Sequence, residues 1–386
     1  MNVNGEIEKR QTLPAEWRWV KLGEVCEFLD SFRIPINETE RQKRIVNKPI
    51  SSLYPYYGAN GQVGWIDDYL FDEPLILLAE DGGAFGSTKD KIAYKISGKT
   101  WVNNHAHVLR PRNIIDFDYC LYSISIRPDI GNIVTGNTRP KLNQEIASRI
   151  LIPLAPLTEQ KRIAAILNEQ MEAIDKARAA AEAQLAAAKA LQFSYVRDTL
   201  SKGLIKTIKL SDCLDEVTGG IGNSWKQYAV LGTTRNGLSL AKEPPGKHPE
   251  RYKFVGEGTI FYNPMRILLG SISFVDRKDD EGITSPDYVV FKTKPGFLHH
   301  RWFYHWLRSP FGDRLIRSLA RGAVRERMLF KRLSAGLIDI PSWEEQLTAA
   351  EKIKHIGPFA ERIESQIDEI NALPEALLRR AFSGEL

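Results

Sequence analysis

Ile150-Leu-Ile-Pro153, followed by Glu159-Gln160, returns late in the chain as Ile338-Asp-Ile-Pro341, followed by Glu345-Gln346. The proline recurs 188 residues on (153 to 341) and the glutamine 186 residues on (160 to 346), so the second copy reads as having lost two residues between them. Self-similarity at a fixed offset is sought first because it dictates the architecture. Working outward, Gly136-Asn-Thr-Arg139-Pro-Lys-Leu142 is answered by Gly322-Ala-Val-Arg325-Glu-Arg-Met-Leu329. The openings correspond as well, Trp19-Val-Lys-Leu-Gly-Glu-Val25 with Ile208-Lys-Leu-Ser-Asp-Cys-Leu214.

Each half therefore follows one plan, a globular block of about 140 residues and then a helix. Inside the blocks, short β-rich runs alternate with Gly, Asn and Pro turns: Pro74-Leu-Ile-Leu-Leu-Ala79, Trp101-Val102, His107-Val-Leu109, Thr259-Ile-Phe-Tyr262, Ser271-Ile-Ser-Phe-Val275 and Tyr288-Val-Val-Phe291. Two mixed α/β or β-rich domains are expected. From residue 159 to about 199 the chain is dense in strong helix formers, with no breaker before Gly203. Leu167, Met171, Ile174, Ala181, Leu185 and Ala188 form a seam at three- and four-residue steps, interrupted at Arg178. Ile353, Ile356, Ala360, Ile363, Ile367 and Ile370 repeat that rhythm. Large Ile on one seam facing Ala on the other predicts that the two helices pair within one chain. Gly357-Pro358 predicts a kink or restart, and Pro374 the opening of a separate short helix over residues 375–382. A generic helical core or a homodimer zipper is the competing reading of the same seams.

The chain has 386 residues, 43% hydrophobic and 26% charged, which suits two packed domains with connecting material. It has no apolar run of membrane-spanning length, and residues 1–11 carry no apolar signal core, so no membrane partner and a cytoplasmic location are expected. Cys26, Cys120 and Cys213 are too scattered for a zinc ribbon and read as small core residues. A net charge of +5 permits a polyanionic partner without demanding one.

Several of these stretches together resemble the specificity subunits of Type I restriction–modification systems. The carriers are Leu13-Pro-Ala-Glu-Trp17, Val20-Lys-Leu-Gly-Glu-Val25, Tyr57-Gly-Ala-Asn-Gly61, Leu78-Ala-Glu-Asp-Gly82 and Val102-Asn-Asn-His105. They continue with Arg139-Pro-Lys-Leu-Asn143, with Ile152-Pro-Leu-Ala-Pro156-Leu-Thr-Glu-Gln160-Lys-Arg-Ile-Ala-Ala-Ile-Leu167, and with the ending Leu373-Pro-Glu-Ala-Leu-Leu-Arg-Arg-Ala-Phe-Ser-Gly384. The resemblance implies an α+β fold: two mixed α/β target-recognition domains joined by two long antiparallel coiled-coil helices with pseudo-two-fold internal symmetry. The expected boundaries are 1–155 for the first domain, 156–203 for the central helix, 204–342 for the second domain and 343–386 for the last helix. It further implies that the domains read the two halves of a bipartite, asymmetric double-stranded DNA site, while the helices dock two methyltransferase subunits and, through them, restriction subunits. About forty helical residues at 1.5 Å each give roughly 60 Å of spacer, enough to separate two contacts by one or two DNA turns of about 34–36 Å.

Base reading needs Arg and short polar groups on loops that can enter a groove. The candidates are Asp81, Asn103, Asn104, His105, Asn137, Thr138, Arg139 and Lys141 in the first block, and Asn263, Arg266, Thr284, Ser285, Arg321, Arg325 and Arg327 in the second. Each has a turn-forming or capping alternative. The densest basic run is Arg301, Arg308, Arg314, Arg317, Arg321, Arg325, Arg327, Lys331 and Arg332, with Arg314, Arg317 and Arg321 on one helical face away from Leu315, Ile316 and Leu319. A solvated helix face is its plain alternative.

Catalytic patterns fare worse. Asn263-Pro-Met265 begins like an amino-methyltransferase loop but lacks the second proline and the aromatic residue, so a turn is expected. Pro128-Asp129 with Glu159-Gln-Lys161 has the letters of a metal-dependent nuclease, yet its repeat partner Glu345-Gln-Leu347 keeps Glu-Gln and drops the lysine. That pair is expected to start a helix. His299, His300 and His305 sit among aromatic residues and are expected to pack rather than bind zinc. No catalytic residue, metal site or cofactor is therefore expected on this chain. S-adenosylmethionine, ATP and magnesium would belong to partner subunits. The rival reading is a tandem-repeat coiled-coil interaction protein without a DNA role.

Overall fold

A computed structural model describes residues 13–136, 140–276, 279–320 and 327–386. The chain divides into two compact units, residues 1–181 with 365–386, and residues 182–364.

The first unit carries β1 (Arg18–Lys21), β2 (Cys26–Phe28), β3 (Tyr54–Gly58), β4 (Gly61–Ile66), β5 (Phe71–Asp72), β6 (Leu75–Ala79), β7 (Ala93–Ile96), β8 (Lys99–Val102), β9 (Ala106–Pro111) and β10 (Leu151–Leu154). β1 pairs with β10, and the others form two four-stranded sheets in the orders β2-β9-β6-β7 and β4-β3-β8-β5. All five residues of β6 are buried, which explains its unbroken apolar run: a strand covered on both faces need not alternate. Leu75, Leu77, Val108 and Val102 pack in the core that joins the sheets. A helix at Phe117–Ser125, capped by Asp116 accepting from the Tyr119 amide, buries Tyr119, Cys120 and Ile124. Cys26 and Cys120 are buried there with their sulfurs 3.4 Å apart.

The second unit repeats this plan strand for strand. Its strands are β11 (Lys206–Lys209), β12 (Leu214–Glu216), β13 (Ala229–Thr234), β14 (Gly237–Leu240), β15 (Lys253–Val255), β16 (Ile260–Tyr262), β17 (Ile272–Phe274), β18 (Gly282–Thr284), β19 (Val289–Thr293) and β20 (Leu337–Ile340). β11 pairs with β20, and the sheets run β12-β19-β16-β17 and β14-β13-β18-β15. Even the parallel pairs match, β3 with β8 and β13 with β18. A helix at His300–Leu307 occupies the place of Phe117–Ser125, burying Trp302, Phe303 and Trp306.

The register corrects the sequence alignment at one point. Val20 pairs with Ile152, and Ile208 with Ile338, so Pro153 corresponds to Asp339 rather than to Pro341. Gln160 donates to the Ala155 carbonyl as Gln346 does to that of Pro341, so Pro341 stands where the first copy has Ala155. No residues were lost between the two landmarks. A proline at two different positions of the same segment imitated a deletion.

The long helices run Leu157–Lys202 and Trp343–Ser383. The second opens on a capping box, with Ser342 Oγ accepting from the Glu345 amide and Glu345 Oε2 accepting from the Ser342 amide. It continues without interruption through Pro358 and Pro374, so neither the predicted restart nor a separate final helix occurs. The physical reason is burial on both sides of each proline: Ile353, Ala360, Ile363, Ile370, Leu378 and Ala381 are all covered, and packing outweighs one lost backbone bond per proline. Each unit contains contacts between its own portions of the helices. In the second, Lys189 Nζ lies 2.8 Å from Glu364 Oε1, and Lys352 Nζ sits 5.5 Å from the centre of the Tyr195 ring. In the first, Arg162 donates to the carbonyl of Leu386, just past the end of the second helix, at 2.5 Å. Among the described residues no helix is long and apolar enough to cross a membrane.

Candidate nucleic-acid interface

Four stretches far apart in sequence meet at one end of the first domain. The β3–β4 turn reaches the segment after β6 through Asn60, whose side chain donates to the Gly82 carbonyl at 2.9 Å. The segment after β8 joins both: the Asn103 amide donates to the Tyr57 carbonyl at 3.0 Å and the Glu80 amide to the His105 carbonyl at 2.8 Å. The fourth stretch closes on itself, Thr135 and Lys141 exchanging backbone bonds of 2.9 and 2.7 Å, and is pinned by the Leu142 amide donating to the Glu80 carbonyl at 2.7 Å. Leu142 is wholly buried and anchors the stem. Asn104 is exposed, and His105 Nδ1 stands 2.8 Å from Asp81 Oδ1. Lys141 is half exposed, with Nζ 3.0 Å from Glu80 Oε1. Asn103 is nearly buried, its Oδ1 accepting from the His105 amide, so it shapes its turn. Asn137, Thr138 and Arg139 lie outside the described residues.

Beneath this surface is a charged cluster that the sequence reading missed. Asp30, Glu80 and His107 gather their ligand-type atoms within 4.8 Å of one another. The donor set would suit a divalent cation, but a guanidinium already serves it: Arg33 Nη1 lies 2.8 Å from Glu80 Oε2 and Arg33 Nη2 3.4 Å from Asp30 Oδ2. Burial opposes ionisation of Asp30, yet hydrogen bonds from His107 and Val108, with the charges of His107 and Arg33, hold its carboxyl below the ordinary value. Nothing local in the sequence joins positions 30, 80 and 107. Only the pairing of β9 with β2 and β6 does.

The second domain assembles the corresponding stretches. Thr234-Arg-Asn-Gly237 is the β13–β14 turn, and Gly237 adopts φ 111° as Gly61 adopts φ 124°, a region that favours glycine. The Met328 amide donates to the Pro264 carbonyl at 3.0 Å, the counterpart of Leu142 to Glu80, which makes Arg327 the counterpart of Lys141. Arg327 and Arg266 are exposed. Asn263 Oδ1 accepts from the Met265 amide and Ser285 Oγ from the Asp287 amide, so each supports its own turn, as expected of Asn263-Pro-Met265. Thr284 is a correction: it is fully buried in β18, because the last strand residue points into the sheet packing and only the residue after it leaves. Arg235 and Asn236 were overlooked, although their Asn-Gly turn signal was legible.

The basic run also divides. Arg314 and Arg317 are exposed on the helix Pro310–Ala320, whose Ile316 is buried and whose Leu315 and Leu319 pack on the core. Arg314 lies over the Phe311 ring at 5.0 Å, and Arg317 pairs with Asp313 at 2.8 Å. Arg301 and Arg308 are engaged within the domain: Arg301 is buried against Asp276, and the half-buried Arg308 donates to the carbonyls of Ile272 and Arg235. Arg321 and Arg325 lie outside the described residues. The histidines pack as expected, His300 stacked on Phe274 at 5.4 Å and His299 5.7 Å from Trp343. Burial, with His300 and Arg301 adding to it, pushes His299 down to about 4.

Glu159 and Glu345 each flank a buried glutamine clamp. Gln160 is buried, accepting from the Asp116 amide and donating to the Ala155 carbonyl, and Gln346 does the same with the His299 amide and the Pro341 carbonyl. Each clamp fixes a domain helix to the start of a long helix.

The family of the Type I restriction modification DNA specificity domain matches residues 14–184. A Haemophilus influenzae chain named as a type I restriction enzyme specificity subunit is 30% identical over 154 residues, 40% of this chain and 37% of that one, so the alignment spans well under half of that relative's length. The Methanocaldococcus jannaschii type I restriction enzyme MjaVIII specificity subunit is 22% identical over 97% of this chain and 94% of its own. The crystal structure of a Type-I restriction-modification system S subunit from M. genitalium superposes with a TM-score of 0.56 at 12% identity, covering 98% of each chain. With the duplicated sheet order and the paired Gln clamps in view, residues 14–184 match the Type I restriction modification DNA specificity domain, and the chain along its length is similar to Type I restriction enzyme specificity subunits.

Proposed function

We propose that this chain reads DNA for a Type I restriction–modification assembly and has no catalytic role of its own. Each domain contacts one half of a bipartite, asymmetric site through the loop cluster at the end of its sheets. The two long helices space the readers and dock two methyltransferase subunits, and restriction subunits join through those. S-adenosylmethionine, ATP and magnesium act on the partner subunits, and the assembly works in the cytoplasm. The observation that carries this reading is that both domains pin the loop stem to the segment after the buried sheet strand by the same backbone bond, Leu142 to Glu80 and Met328 to Pro264, beside dissimilar exposed side chains. A conserved stem with different tips is what two different half-sites require.

Within this reading, Asp81, Asn104, His105 and Lys141, with Asn137, Thr138 and Arg139 of the same loop, face the first half-site, and Asn103 supports them. Asn263, Arg266, Ser285 and Arg327, with Arg321 and Arg325, face the second. Arg314 and Arg317 lie along phosphates. The test is a gel shift of the full chain on duplex DNA across a salt series. Affinity should fall steeply with salt, and Lys141→Ala and Arg327→Ala should each lower the logarithmic salt slope by about one. A shift indifferent to salt, or none at all, would favour the tandem-repeat interaction protein.

A further inference from the structure

Within the first domain, one buried side chain connects the charged cluster to the loop stem. His107 is 1% exposed, with Nδ1 2.6 Å from Asp30 Oδ2 and Nε2 2.7 Å from the Leu142 carbonyl oxygen. A carbonyl can only accept, so Nε2 carries a proton. At 2.6 Å the Nδ1–Oδ2 contact is a hydrogen bond with one proton between ring and carboxyl, so both ring nitrogens are committed. Its other neighbours are Glu80, with Oε2 3.8 Å from Nδ1, and the Phe28 ring, edge-on at 5.8 Å. Glu80 in turn bonds Arg33 and Lys141. Asp30 is fixed independently by the Val108 amide at 2.9 Å.

Among the described residues, the second domain has no such device at the corresponding positions. His107 lies two residues before Leu109, which pairs with Phe28 and Ile76, and Val289 lies two residues before Phe291, which pairs with Glu216 and Ile260. Val289 therefore occupies the position of His107, and Pro264 that of Glu80. Val289 packs in the apolar core cluster that also holds Met328.

We propose that His107 is a positioning residue of the first reader alone, a buried strut that ties Asp30 to the Leu142 carbonyl and so fixes the stem bearing Lys141. The reading role rests on the DNA-binding function proposed above. The strut itself does not.

The two parts can be tested separately. In the full-length chain, labelled at histidine nitrogens and assigned by the loss of signal in His107→Gln, Nε2 of His107 should give a slowly exchanging, hydrogen-bonded N–H resonance at neutral pH. A bare Nε2 overturns the strut. Two amide variants then divide the contacts, because Gln places an NH2 near the lost Nε2 and Asn places one near Nδ1. His107→Asn should speed hydrogen exchange at the Lys141 and Leu142 amides by about tenfold or more, the effect of one lost buried hydrogen bond, while His107→Gln should stay within about threefold of the parent. Equal behaviour of the two variants would refute the Leu142 contact. In cells carrying the chain with its methyltransferase partners, sequencing of methylated sites should show His107→Asn relaxing one half-site and Val289→Ala relaxing neither. Stem loosening with both half-sites intact would end the positioning role. Absence of sequence-specific methylation with the parent chain would end the DNA-reading function and the reading role with it, leaving resonance and exchange to decide the strut.

Discussion

At the scale of single residues, burial assigns the work. Gln160 sits beside a glutamate that carries the letters of a nuclease, yet in both copies the buried amide is the clamp, while the neighbouring carboxylate bonds Arg162 in the first and closes the Ser342 cap in the second. Gln346→Ala strands the His299 amide and two carbonyls, and Gln160→Ala does the same around Asp116. Each buried group left without a partner costs about 1–3 kcal/mol, so both variants should lower the urea midpoint clearly without changing the far-ultraviolet spectrum. Asp30 predicts an acid effect. Its folded carboxyl ionises below the ordinary 3.8, so the stabilisation is fully present above that pH and is lost as pH falls through the lower folded value. Urea midpoints recorded from pH 6 downward should therefore fall less steeply in Asp30→Asn than in the parent. A parallel descent of the two curves would remove Asp30 from the acid-sensitive set.

Among elements, glycines and prolines of the same apparent meaning behave differently according to what surrounds them. Gly357 was read as a helix breaker, but it lies inside the helix Trp343–Ser383, and a Cβ there would meet nothing within 4 Å. Gly357→Ala should therefore stabilise the chain by about 0.5–1 kcal/mol, seen as a higher melting temperature. Gly312, inside the helix Pro310–Ala320, is the opposite case, because a Cβ would collide with the backbone of Leu307. Gly312→Ala should lower the melting temperature, since backbone atoms cannot rotate aside as a side chain can. Reversed signs for the pair would show that local helix propensity, not packing, governs both sites.

For the whole molecule, the proposed function makes helix length a specificity parameter. Removing seven residues from each long helix keeps the seam in phase and shortens each rod by about 10 Å. At 3.4 Å per base pair, the gap between the two half-sites in the methylated sequence should shrink by about three base pairs, with the half-sites themselves unchanged. A change in the half-sites would mean that the helices, not the sheet-bearing domains, read the bases.

The sequence by itself determined the duplication, the strand segments and the two long helices, because each is written in local patterns: apolar runs bounded by turns, seam periodicity and a landmark motif repeated at nearly constant offset. It also placed the loops that approach one another, through motifs whose meaning came by resemblance. Tertiary structure alone decided the rest. The sheet order, the register that realigned Pro341 with Ala155, and the burial of Thr284 and Arg301 all depend on which strands and helices cover one another. The cluster of Asp30, Arg33, Glu80 and His107 depends on pairing between segments tens of residues apart, and no local pattern encodes a contact whose partners meet only after the chain has folded.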